Sequence, residues 1–72
     1  MSPTAGRVAR WDSEGGFGVI ESTETPGGCW AHFSALHPNT LFELRPQQAV
    51  TFEFEVVDQD GYQFRATKVW LT

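Results

Sequence analysis

The sequence predicts an all-β fold, a five-stranded antiparallel barrel. Three observations carry this expectation. Turn signals recur at short intervals, at Gly15-Gly16, Gly18, Pro26-Gly27-Gly28, His37-Pro38-Asn39, Pro46 and Asp58-Gln59-Asp60-Gly61. Short β-prone runs between regular turns suit a sandwich or barrel. One run, Ala49 to Val57, alternates Val50, Phe52, Phe54 and Val56 with Thr51, Glu53 and Glu55, the period of a half-buried strand. Finally, 72 residues make one small domain at most, and five short strands must close on themselves to protect their edges.

The elements follow in order. Residues 1–4 read as a flexible tail and residues 5–72 as a single domain. The first strand runs from about Gly6 to Asp12 and breaks near Gly15-Gly16. The second covers about Phe17 to Ser22. The third covers about Cys29 to Phe33, after which Ser34-Ala35-Leu36 suits one short helical turn. A long connection occupies His37 to Gln48. The fourth strand, Ala49 to Val57, is the clearest, and the Asp-Gly of Asp60-Gly61 suits a tight hairpin turn. The fifth strand runs from about Tyr62 to Leu71, with Trp70 expected to pack against the barrel bottom.

Composition excludes several classes. A two-domain enzyme or repeat array does not fit in this length. No apolar run approaches the roughly 18–20 residues that span a membrane, so no membrane partner is expected. Met1-Ser2-Pro3-Thr4 has no secretory-signal character. The lone cysteine, Cys29, excludes an internal disulfide and a multi-cysteine zinc site, and fits a cytoplasmic location. Five Lys and Arg face nine Asp and Glu, for a formal charge of −4. That balance argues against nucleic acid, because phosphate contacts draw on basic residues. Three Trp, one Tyr and six Phe argue the other way, since they exceed what a small core needs.

Strand parity places the surplus rings. If Ile20 and Gly18 face inward, Phe17, Val19 and Glu21 face outward. Cys29 and Ala31 are small enough for a crowded interior, and Trp30 and His32 then face outward. Neighbouring strands would thus set Phe17, Val19, Trp30 and His32 on one outer face, which costs solubility unless a partner covers it. Rings on adjacent strands of a small barrel are the arrangement that stacks successive bases of a single strand.

Two segments carry a family resemblance. Gly16-Phe17-Gly18-Val19-Ile20 is similar to the first ribonucleoprotein motif of bacterial cold-shock proteins, usually Lys-Gly-Phe-Gly-Phe-Ile. Cys29-Trp30-Ala31-His32-Phe33 resembles the second, usually Val-Phe-Val-His-Phe, and Ser34-Ala35-Leu36 continues in register. The resemblance extends from Gly6 to about Val69. It implies a five-stranded OB-fold barrel that binds single-stranded RNA or DNA, and a possible role as RNA chaperone or regulator of gene expression. The implied binding residues are Arg10, Trp11, Phe17, Val19, Trp30, His32, Phe33 and Phe42. Arg7, Arg65 and Lys68 are further candidate cations.

The departures from the family pattern weaken the expected binding. The strand-one Lys-Trp-Phe becomes Ala9-Arg10-Trp11. The lysine before the first motif is Gly15, and the motif's second ring is Val19. The ring of the long loop becomes Leu41 with Phe42 beside it. The aspartate before the second motif is Gly28, and the basic residue before the last hairpin glycine is Asp60. Roughly two stacking rings and three basic residues are gone, each lost ring costing about 1–3 kcal/mol. Arg10 partly compensates, because a guanidinium both stacks and carries charge. The alternative is a protein-interaction or homodimerising barrel that has lost much of its nucleic-acid affinity.

Other chemistries lack their residues. Cys29 reads as a buried core residue, since a reactive thiol needs an electropositive, accessible setting. His32 has no metal-ligand partners at suitable spacing. Asp58-Gln59-Asp60-Gly61 opens like a calcium loop but lacks the downstream acidic ligand. Glu53 and Glu55 share a solvated strand face and not a cleft that would part their pKa values. No cofactor is implied, and an enzyme is not expected. Glu53, Glu55, Asp58 and Asp60 are expected to lie away from the ring-bearing strands, with Arg7 and Arg10 beside those strands.

Overall fold

The computed structural model describes residues 3–37, 44–59 and 61–71. Six strands follow one another: β1 (Thr4–Asp12), β2 (Phe17–Glu21), β3 (Cys29–His32), β4 (Leu36–His37), β5 (Ala49–Gln59) and β6 (Tyr62–Leu71). A 3-10 turn, Phe33–Ala35, separates β3 from β4. Five of the strands build the barrel, in the order β3-β2-β1-β5-β6, and β6 returns to pair with β3. The two-residue β4 lies along β6. The all-β, five-stranded barrel expected from the sequence is what forms.

Strand direction dictates how the barrel seals. β2 is antiparallel to β1 and β3 is antiparallel to β2, so β3 runs with β1. β5 is antiparallel to β1 and β6 is antiparallel to β5, so β6 also runs with β1. The closing pair is therefore parallel, through Cys29↔Phe64 and Trp30↔Arg65. Parallel pairing is slightly weaker per residue than antiparallel. The short seam compensates by closing an edge that would otherwise stay unpaired.

The interior is filled from every strand. Val8, Ile20, Cys29, Ala31, Leu36, Val50, Phe52, Ala66 and Val69 are buried together with Leu44, which lies between β4 and β5. Phe52 and Ile20 are the largest fully buried side chains. Cys29 and Ala31 are both 0% exposed, as a crowded interior requires. Burial without a charged partner pushes the Cys29 thiol up to about 12.

The alternation of β5 holds only partway. Val50 and Phe52 are buried and Phe54 is half-buried, but Val56 is 77% exposed. β1 pairs with β5 only as far as Phe52, opposite Thr4. Beyond that point β5 pairs with β6 alone, and a register shift between Glu53 and Phe54 changes which residues face each other. The β5–β6 turn is as tight as Asp60-Gly61 suggests: Gln59 pairs with Tyr62, and Gly61 takes φ 85°. Asp60 itself lies outside the described residues. Trp70 is half-buried at the other end of β6, edge-on to His37 with ring centroids 6.2 Å apart.

Candidate nucleic-acid interface

The β1–β2 turn sets the first ring. Asp12 Oδ1 accepts hydrogen bonds from the backbone N–H groups of Glu14 and Gly15, both at 3.1 Å. This Asx-type turn starts the reversal. Gly16 completes it at φ 71°, a conformation that suits glycine. Its carbonyl accepts from Phe33 N–H at 2.7 Å. A Cβ on Gly16 would lie 2.7 Å from Phe33 Cδ1, so the missing side chain is the space that Phe33 occupies.

Register then assembles a row of rings. Phe17 pairs with His32 and Val19 with Trp30 across β2 and β3. The Phe17 and Trp30 centroids are 6.0 Å apart with planes inclined by 27°. Trp30 and His32 follow at 5.8 Å and 25°. His32 and Phe33 complete the row at 4.5 Å and 40°. Phe17, Trp30 and His32 are half-buried and Phe33 is exposed, so each ring is held from below and presents a free face.

His32 is oriented by the chain that follows it. Its Nδ1 accepts from Ser34 N–H at 3.2 Å and lies 2.8 Å from Ser34 Oγ, capping the 3-10 turn. An accepting Nδ1 places the proton of the neutral ring on Nε2. The ring therefore offers a flat face for stacking and a separate N–H for donation.

The remaining expected site residues divide. Val19 sits on the ring side opposite Trp30 but is 8% exposed, because Arg10, Trp30 and Tyr62 rise around it. Arg10 is exposed and stands opposite Val19, after a register shift between Val8 and Arg10 that sets its direction. Trp11 pairs with Gly18 and packs against the core. Its Nε1–H is buried without an acceptor among the described residues. Even so, Trp11 borders an open hollow of about 410 Å³ whose other walls include Arg10, Phe17, Val19, Trp30 and Tyr62. Phe42 and Leu41 lie outside the described residues.

The cations are placed unequally. Arg65 is paired with Trp30 across the seam and forms an ion pair with Glu55. It lines a hollow of about 450 Å³ together with Trp30, His32 and Ser34. Glu55 is thus next to the ring row, against the expectation that the fourth-strand acids lie away from it. The seam brings β6 alongside β3, and Glu55 reaches that side by pairing with Arg65. Arg7 donates from Nη1 to the Gln47 carbonyl at 3.1 Å. Lys68 stands opposite Glu53 and borders none of these hollows.

One contributor is not visible in the motifs. Tyr62 opens β6, yet its Oη accepts a hydrogen bond from Arg10 Nη2. Its ring also lies close to Gly28, where a Cβ would meet Tyr62 Cε1 at 3.3 Å. The sequence signal was present as the chain's lone tyrosine directly after a hairpin turn.

Comparison with curated proteins finds no match. The 'Cold-shock' DNA-binding domain model matches residues 4–72, almost the entire chain and every strand described above. With its closed β-barrel and its ring row on β2 and β3, the chain belongs to the cold-shock domain family, which binds single-stranded nucleic acid.

Proposed function

We propose that this chain binds single-stranded RNA or DNA by stacking successive bases on Phe17, Trp30, His32 and Phe33. The single observation that carries the reading is the unbroken row of four rings, each within 6.0 Å of the next. Stacking of this kind tolerates sequence, because every base has a π-face. Arg10 and Arg65 flank the row and add charge without building a long basic track. The affinity is lower than a lysine-rich barrel of this kind would reach. Binding that traps unpaired strands melts weak RNA structure by mass action and needs no ATP. On this reading the chain acts as an RNA chaperone or regulator of gene expression, in the cytoplasm.

The test is a fluorescence-anisotropy titration of labelled hexathymidine at low salt, with the wild-type chain and with Trp30→Ala. Wild type binds at micromolar protein, and Trp30→Ala weakens binding about tenfold or more, the equivalent of one stacked base. An unchanged anisotropy with wild type would sink the reading. Size-exclusion elution that shifts on Trp30→Ala, with no response to oligonucleotide, would instead favour a protein-interaction or homodimer surface.

A further inference from the structure

The outer face does not end at Phe17. The outward residues of β2 are Phe17, Val19 and Glu21, so the same face runs on past the 410 Å³ hollow. It continues into a second open hollow of about 670 Å³, bordered by Arg7, Arg10, Val19, Glu21, Gly28 and Tyr62. Arg10, Val19 and Tyr62 belong to both hollows. At their junction Val19 is nearly covered, and the Tyr62 ring lies close to Gly28 and lines both hollows.

We propose that Tyr62, Arg10 and Glu21 form a further base position at this end of the row, and that it prefers guanine. This rests on the single-strand reading above. Tyr62 supplies a stacking ring from β6 where Val19 on β2 has none. The guanidinium of Arg10 has five N–H donors and gives one to Tyr62 Oη, which anchors it beside the ring. Its other donors form a fork that matches the adjacent O6 and N7 acceptors of guanine. Glu21 stands opposite Arg7 on the same outer face and offers a carboxylate to the guanine N1–H and amino group. Thymine and uracil lack the paired O6 and N7 acceptors, and adenine presents an amino donor where guanine presents O6.

The experiment compares hexathymidine with strands in which one guanine replaces the first or the last thymine. Wild type, Tyr62→Ala, Arg10→Gln and Trp30→Ala are each titrated. Wild type is expected to bind one of the guanine strands about tenfold more tightly than hexathymidine, the worth of one bidentate base contact. Tyr62→Ala and Arg10→Gln bring that ratio close to one. Taking the ratio cancels any loss of general phosphate attraction in Arg10→Gln. Trp30→Ala lowers affinity for all strands and keeps the ratio. No guanine preference in wild type, or a preference that survives Tyr62→Ala, overturns the base position while leaving the stacking reading standing. Failure of wild type to bind any strand overturns both.

Discussion

Cys29 shows how a single side chain limits the range in which this barrel is stable. Its thiol is 0% exposed and burial holds its pKa up at about 12, against an ordinary value of 9.0. A raised pKa on an acid means that the folded chain keeps the proton after the unfolded chain has released it. Below about pH 9 the group adds no pH dependence. Between about 9 and 12, stability falls as pH rises, by up to about 1.4 kcal/mol per pH unit. Chemical denaturation at several pH values checks this. Cys29→Ala should flatten the alkaline decline, and an equal decline in both proteins would mean that other groups cause it. Residue by residue, the ring row was legible because alternation on two short strands fixes which side chains point out. Trp11 was less so. The shift in β1 before Arg10 sets Trp11 opposite Gly18, with one side against the core and another bordering the 410 Å³ hollow. A bulge of this kind leaves no mark in the local sequence. Tyr62 escaped notice because its partner Arg10 is 52 positions away, and folding alone brings the two together.

The elements depend on close backbone approach, and β1 against β2 is the tightest case. A Cβ on Gly18 would lie 2.4 Å from the Arg10 carbonyl oxygen and 3.1 Å from Trp11 Cα. Both are backbone atoms, so relief requires β1 and β2 to separate. Gly18→Ala should cost about 1–3 kcal/mol, the range for overpacking, measured as a lower urea midpoint. An unfolding free energy within about 0.5 kcal/mol of wild type, as for an indifferent surface change, would contradict the close fit. At this scale the sequence was most informative where turn chemistry is strong. Asp60-Gly61 marked the β5–β6 hairpin, and β6 spans Tyr62–Leu71 as expected. Alternation misled at Val56, because periodicity reports which way a side chain points and not whether anything lies opposite. The two-residue β4 was illegible for a different reason: Leu36–His37 is too short to show a period, and it is a strand only because β6 runs beside it.

Across the whole molecule, the formal charge of −4 no longer argues against nucleic acid, since in the proposed mode affinity rests on rings and not on a basic track. Arg7, Arg10 and Arg65 border the hollows around the ring row. Three phosphate contacts at about −0.7 each give a slope near −2 for log affinity against log salt. Titration of hexathymidine across a salt series tests this. A slope of about −3.5 or steeper would need all five basic residues at the strand, including Arg45 and Lys68, which border none of these hollows, and would contradict that placement. Glu55 adds to the shallow dependence, because a phosphate approaching Arg65 must compete with a carboxylate already there. The parallel seam has a consequence for ligand and fold together. It consists of two residue pairs, and one of them joins Trp30, the centre of the ring row, to Arg65. The seam therefore runs through the proposed binding surface. A strand lying over Trp30 and Arg65 bridges both sides of the seam and favours the closed form, while any opening there takes the platform apart. If the proposed surface is the one used, occupancy and closure would be a single linked equilibrium, in which a nucleic acid lends rigidity to a barrel whose final join is short.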